Sequence, residues 1–152
     1  FLPGRHAGGG GSGDGAARQN MLSFGTEMGG SGTVTPDCLE HCFNGVVRVL
    51  HELGVLKKAM APPAEKPTRM MHVPSADYFT YSLDVGLFEP VVNLGDEIQK
   101  GDLAGRVHFP ETPWQTPTDV HFSADGLVVC KRIPGRVERG DCLFHLGVDF
   151  EE

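Results

Sequence analysis

At 152 residues, 39% of them apolar, the chain can bury a core as one domain or as two small ones. Its formal net charge is -7 and its 13 Lys and Arg are scattered, so the basic footprint that neutralises a phosphate backbone is absent and a nucleic-acid partner is excluded. No apolar run approaches the roughly 18 residues of a membrane span and the N-terminus lacks the order of a signal peptide, which predicts no membrane partner and a cytoplasmic location.

Residues 1–20 contain GGGGSGDG, whose backbone entropy no side chain offsets, and are expected to form a flexible Gly-rich segment. The chain starts at Phe1 rather than Met, which predicts a processed protein or a piece of a longer one. Met21–Thr26 (MLSFGT) is a strand candidate, followed by Glu27 and the turn glycines Gly29 and Gly30. Thr35 is a good N-cap, Pro36 suits the first helical position, and Asp37 sits favourably beside the positive end of the helix dipole. Leu39, Cys42, Phe43, Val46, Leu50 and Leu53 recur at helical spacing up to Gly54, a C-terminal stop. That apolar face predicts packing on a sheet of which only the last strand is present in this sequence, so residues 21–56 read as the last strand and helix of an α/β domain.

Cys38 and Cys42 lie one helical turn apart beside His41, a spacing that invites a zinc reading. No second C-x-x-C or H-x3-H pair closes a tetrahedral site, and cysteine is common in cores, so these two, with Cys130 and Cys142, are read as reduced thiols.

Residues 57–69, rich in Pro, Ala and charge, read as a linker, and residues 70–152 as a separate β-domain with an internal duplication. GLFEPVVNLGDEIQKGDLAGRV, Gly86–Val107, lies over GLVVCKRIPGRVERGDCLFHL, Gly126–Leu146. Gly86 matches Gly126, Ile98 matches Val137, and Gly101-Asp102 matches Gly140-Asp141. The Gly-Asp pairs are turn chemistry. Two such halves related by a pseudo-twofold predict a small flattened β-barrel, and resemble the barrel-sandwich hybrid of biotinyl and lipoyl carriers. A carrier needs a lysine on the hairpin between its halves, and none occurs between Val107 and Lys131, so swinging-arm chemistry is excluded. That segment instead holds His108, Glu111 and Trp114 among Pro110, Pro113 and Pro117. A stiff loop with one aromatic and two titratable groups suits ligand contact; a proline-rich edge that blocks strand-to-strand aggregation is the other reading.

In order, SFGTEMGG, a helix ending VLHELGVL, a Pro-rich linker and the duplicated GLFEPVVNLGDEIQKGD and RIPGRVERGDCLFHLG resemble the C-terminal part of the succinylglutamate desuccinylase and aspartoacylase family, zinc-dependent hydrolases akin to the zinc carboxypeptidases. HFPETPWQTPTDVHF with DGLVVCKR is similar to the branch that deacetylates N-acetylated 2,4-diaminobutyrate in ectoine breakdown. The resemblance implies an α+β fragment, the end of an α/β zinc-hydrolase domain followed by a capping barrel. It also implies amide hydrolysis of a small-molecule N-acylated amino acid.

The family's T-E-x-G-G strand end supplies a general base, which falls on Glu27, while Gly29 and Gly30 let substrate come close. The family's zinc ligands, an H-x-x-E and a later His, precede that strand end, and here the sole histidine before Glu27 is His6. The resemblance therefore implies Zn2+ in a full-length parent and no metal ligand in this chain, with His41, His51, His72, His108, His121 and His145 all outside the family's ligand positions. Taken alone, the chain is expected to be inactive. The competing expectation is a non-catalytic barrel-sandwich module that binds or adapts.

Overall fold

A helix followed by two antiparallel sheets makes up the computed structural model, which describes residues 15, 16, 18–21, 23, 25, 26, 29, 30, 32–64 and 66–151. Two units, residues 1–62 and 63–152, each cohere by themselves. Among the described residues no helix is long and apolar enough to cross a membrane.

In the first unit the helix α1 spans Pro36–Glu52. The Thr35 side chain caps it by accepting the Cys38 backbone N–H at 3.3 Å, with Pro36 opening the first turn and Asp37 at the dipole's positive end. It closes where Gly54 takes φ +72 and donates to the carbonyl of His51 at 2.9 Å, satisfying one of the last orphan carbonyls. One expectation fails here. The described positions of the proposed strand, Met21, Ser23, Gly25 and Thr26, are irregular, and Met21 instead donates to the carbonyl of Ala16. An isolated strand has nothing to take its ladder hydrogen bonds, and no strand is described in this unit to pair with it. The apolar stripe of the helix, whose sheet was expected to lie mostly outside this sequence, is open among the described residues: Leu39, Phe43, Val46 and Leu53 are at least half exposed, and Val47 is the one buried apolar residue of the helix.

The second unit carries β1 (Met71–His72), β2 (Phe79–Tyr81), β3 (Gly86–Pro90), β4 (Glu97–Ile98), β5 (Leu103–His108), β6 (Thr118–His121), β7 (Gly126–Lys131), β8 (Arg136–Val137) and β9 (Cys142–Asp149). One sheet runs β1-β9-β7-β4 with β2 also on β9, the other β6-β5-β3-β8. The duplication is visible in the ladders. β3 pairs with β5 as β7 pairs with β9, and each half sends its short middle strand to the other sheet, β4 to β7 and β8 to β3. Registers agree at the matched residues: Gly86 faces Val137 and Gly126 faces Ile98.

The repeat also extends further back than its sequence signal. β2 runs beside β9 as β6 runs beside β5, and both ladders carry an irregularity, at Thr80/Tyr81 and at Leu103/Gly105. Gly101 and Gly140 take φ +94 and +89, and their N–H groups reach the carbonyls of Phe122 and Ser82 at 2.9 and 2.8 Å. The following aspartates, Asp102 and Asp141, close each turn by accepting from Gln99 and Glu138 backbone N–H groups, both at 2.8 Å.

A closed barrel does not form. Among the described residues the ladders end as two open sheets, because the exchanging strands β4 and β8 are only two residues long and pair on one side each. The core lies between them. Phe88, Phe122 and Phe144 pack with ring centroids 5.8 and 5.3 Å from Phe144, surrounded by Ile98, Val128, Val137 and Leu146. Ahead of β1, Arg69 forks onto Asp149 at the end of β9, with Nη2 to Oδ2 at 3.0 Å. That hydrogen bond holds the Asp149 carboxyl below its usual range, so its small, exposed contribution is present at neutral pH and fades as pH falls through the lowered value.

Glycine is required where paired strands come closest. A Cβ on Gly86 would sit 2.2 Å from the carbonyl oxygen of His108 and 2.8 Å from Val107 Cγ1. Backbone cannot move aside as a side chain can, so Gly86→Ala is expected to destabilise the protein by about 1–3 kcal/mol in urea unfolding. An unchanged midpoint would show that β3 and β5 are not held this close.

Candidate functional site

The most feature-rich concavity of the second unit lies where β5 leaves its sheet. β5 ends at His108, and the next residues fold into a tight turn in which the Thr112 N–H donates to the Phe109 carbonyl at 3.0 Å and the Gln115 N–H to the Thr112 carbonyl at 2.8 Å. Pro110 and Pro113 restrict the same turn. Between this turn and the paired β3–β8 edge is an open cleft of about 460 Å³, lined by Leu87, Phe109, Pro110, Glu111, Thr112 and Arg136 together with Val85 and Gly86. Its walls are mainly apolar, and it carries one acid and one base.

The sequence-predicted site residues are dispersed. Glu27 lies outside the described residues. Gly29 takes φ +80, where a Cβ would meet the Thr33 carbonyl oxygen at 2.8 Å, and Thr33 closes the turn onto the Gly30 carbonyl through both N–H (2.9 Å) and hydroxyl (2.6 Å). Glu111 lines the cleft. His108 is the last residue of β5 rather than part of the loop, and its Nε2 lies 2.6 Å from Glu89 Oε2 on the neighbouring strand. Trp114 is 82% exposed and does not line the cleft. Arg136 was missed by the sequence reading: it is one of two residues in β8, and nothing in RIPGRV signals that β8 pairs with β3 beside the Glu111 turn.

A second cleft, of about 520 Å³, is flanked by Lys131 and Arg132. Both cations are already engaged, Lys131 Nζ on the Val92 carbonyl at 3.0 Å and Arg132 Nη2 on Asp141 at 2.8 Å. The four cysteines are free thiols; Cys38, Cys42 and Cys142 are half-buried rather than core residues, and Cys130 is exposed. Burial, with Cys130 nearby as a smaller cause, pushes the Cys142 thiol up, away from the thiolate form that ligates metal. Among the described residues no three His, Cys, Asp or Glu side chains come together to hold a metal ion. The residues described here do not fit a zinc site.

No family model matches the chain. It is 30% identical over 126 residues to the N-alpha-acetyl-L-2,4-diaminobutyric acid deacetylase of Halomonas elongata, a match covering 83% of this chain and 36% of that protein. A succinylglutamate desuccinylase/aspartoacylase from Rhodobacter sphaeroides superposes with TM-score 0.81 at 32% identity, over 90% of this chain and 43% of the other. The chain matches the C-terminal part of succinylglutamate desuccinylase/aspartoacylase family proteins. A further structure of this family type, the product-bound ectoine utilization protein EutE (DoeB) of Ruegeria pomeroyi, gives TM-score 0.82 at 29% identity, covering 90% of this chain and 41% of that one. The chain thus spans roughly two fifths of the length of these family relatives. The mixed helix and double-sheet architecture is shared with them.

Proposed function

We propose that the full-length gene product is a hydrolase that removes the acyl group from an N-acyl amino acid, an α-acylated diamino acid in particular, by amide hydrolysis. The reading is carried by the match to the Halomonas elongata deacetylase, which runs through 83% of this chain. A likeness of that extent does not favour the stand-alone adaptor. Glu27, in its T-E-x-G-G context, is the proposed general base and acid, taking a proton from the attacking water and returning one to the leaving amine. The segment carrying His108, Glu111 and Trp114 is proposed to contact substrate in the complete protein. Zinc belongs to this proposal as the full-length protein's cofactor only, since the described residues do not fit it, and no step is drawn through it.

The test is direct. The protein expressed from its complete reading frame, given N-α-acetyl-2,4-diaminobutyrate, is expected to release acetate and the free diamino acid, to lose activity on dialysis against a chelator, and to regain it with zinc. Absence of acetate release contradicts the hydrolase; release that survives chelation contradicts the zinc.

A further inference from the structure

Glu111 and Arg136 line one cleft yet do not neutralise each other: among the described residues neither has an ion-pair partner, whereas Arg69, Arg106 and Arg132 all do. Opposite charges that share a concavity without closing on one another are both available to a ligand that carries the complementary pair. Their supports come from different elements. Arg136 is fixed opposite Leu87 by the β3–β8 ladder, and its carbonyl accepts from Arg132 Nη2 at 3.2 Å. Glu111 stands on the proline-restricted turn that Thr112 and Gln115 close. Between them the cleft offers Leu87, Phe109 and Pro110, apolar surface matched to a short methylene chain. Gly86 also lines the cleft, and it cannot carry a side chain because a Cβ would meet the His108 carbonyl oxygen of β5.

We propose that this cleft binds a small zwitterion, an amino acid whose ammonium is held by Glu111 and whose carboxylate is held by Arg136. The inference deepens the deacylase reading and rests on it only for the choice of ligand. An α-acylated diamino acid keeps its side-chain ammonium and its carboxylate, so substrate and deacylated product both present the charge pair, separated by a short carbon chain. Arg is suited to the carboxylate end because its planar fork can donate two parallel hydrogen bonds. The apolar walls discriminate little by themselves; selectivity comes from leaving one charge unanswered when a ligand carries only the other.

Calorimetry on the 152-residue chain reads this without any catalysis, using L-2,4-diaminobutyrate, butyrate and butylamine as probes. The diamino acid is expected to bind more tightly than either singly charged probe. Arg136→Gln and Glu111→Gln, both at exposed positions, are each expected to weaken its binding about threefold to tenfold. Amide NMR shifts on titration are expected at Gly86, Leu87 and Thr112. No binding by the folded wild-type chain, binding undiminished in both variants, or shifts confined to other residues would each overturn the proposal. Its failure is separable from that of the deacylase reading. A full-length protein that hydrolyses acyl amino acids while this chain ignores the zwitterion sinks the cleft alone. A chain that binds it through Glu111 and Arg136 within a full-length protein that hydrolyses nothing sinks the deacylase and leaves an amino-acid site.

Discussion

Glu27→Gln in the full-length protein is expected to lower kcat by about 10²- to 10⁴-fold while leaving folding, metal content and substrate affinity near wild type. Gln keeps the shape and polarity of Glu but has no carboxylate to take a proton from water and none to return to the leaving amine. An amide nitrogen is a poor leaving group until protonated, so both proton transfers are lost together. In the turn that follows, Gly29 takes φ +80 and Thr33 closes onto the Gly30 carbonyl. Turnover within about threefold of wild type would make Glu27 a turn residue and remove it from the chemistry.

Phe144→Ala is expected to destabilise the second unit by about 3–5 kcal/mol. The ring is fully buried between Phe88 and Phe122, one from each half of the repeat, and its removal leaves a cavity that β-strands on both sides cannot collapse to fill. A domain of this size has a total stability of only about 5–15 kcal/mol, so the variant should sit near its unfolding midpoint at modest urea. Trp114→Ala is the matching control: the larger side chain, but 82% exposed, is expected to change stability by no more than about 0.5 kcal/mol. Equal effects from the two would contradict the placement of the core.

The helix ends and the repeat were legible in the sequence because each rests on local chemistry. Thr35, Pro36 and Gly54 act within one turn of themselves, and the Gly-Asp pairs close turns with their own backbone. The matched glycines Gly86 and Gly126 marked two of the places where backbone approaches backbone. The repeat's earlier strands were not legible, because their paired positions share hydrogen bonding and little side-chain chemistry: Ser82 stands where the other half has Phe122, and both are buried while accepting from the equivalent glycine. The expected barrel failed on strand length, which hydrophobic pattern does not encode well. The expected strand at Met21–Thr26 failed because a strand needs sheet neighbours that no described residue of the first unit supplies.

At the candidate site the sequence singled out Glu111 by its company of prolines and aromatics, and it does line the cleft. Its partner Arg136 was invisible, because the cleft is made by a non-local pairing, β8 on β3, that turns a charged residue in an unremarkable RIPGRV run toward the Glu111 turn. His108 shows the reverse: a titratable residue in a suggestive segment that the β3–β5 register sets opposite Leu87, with its side chain on Glu89 instead.

The deacylase proposed for the full-length protein is to be measured by kcat/KM across N-α-acetyl-2,4-diaminobutyrate, N-acetylaspartate and N-succinylglutamate. Amide hydrolysis is expected with the acylated diamino acid preferred, each turnover releasing one carboxylate and one free amine. Failure to hydrolyse any of the three by a folded, zinc-loaded protein would contradict it.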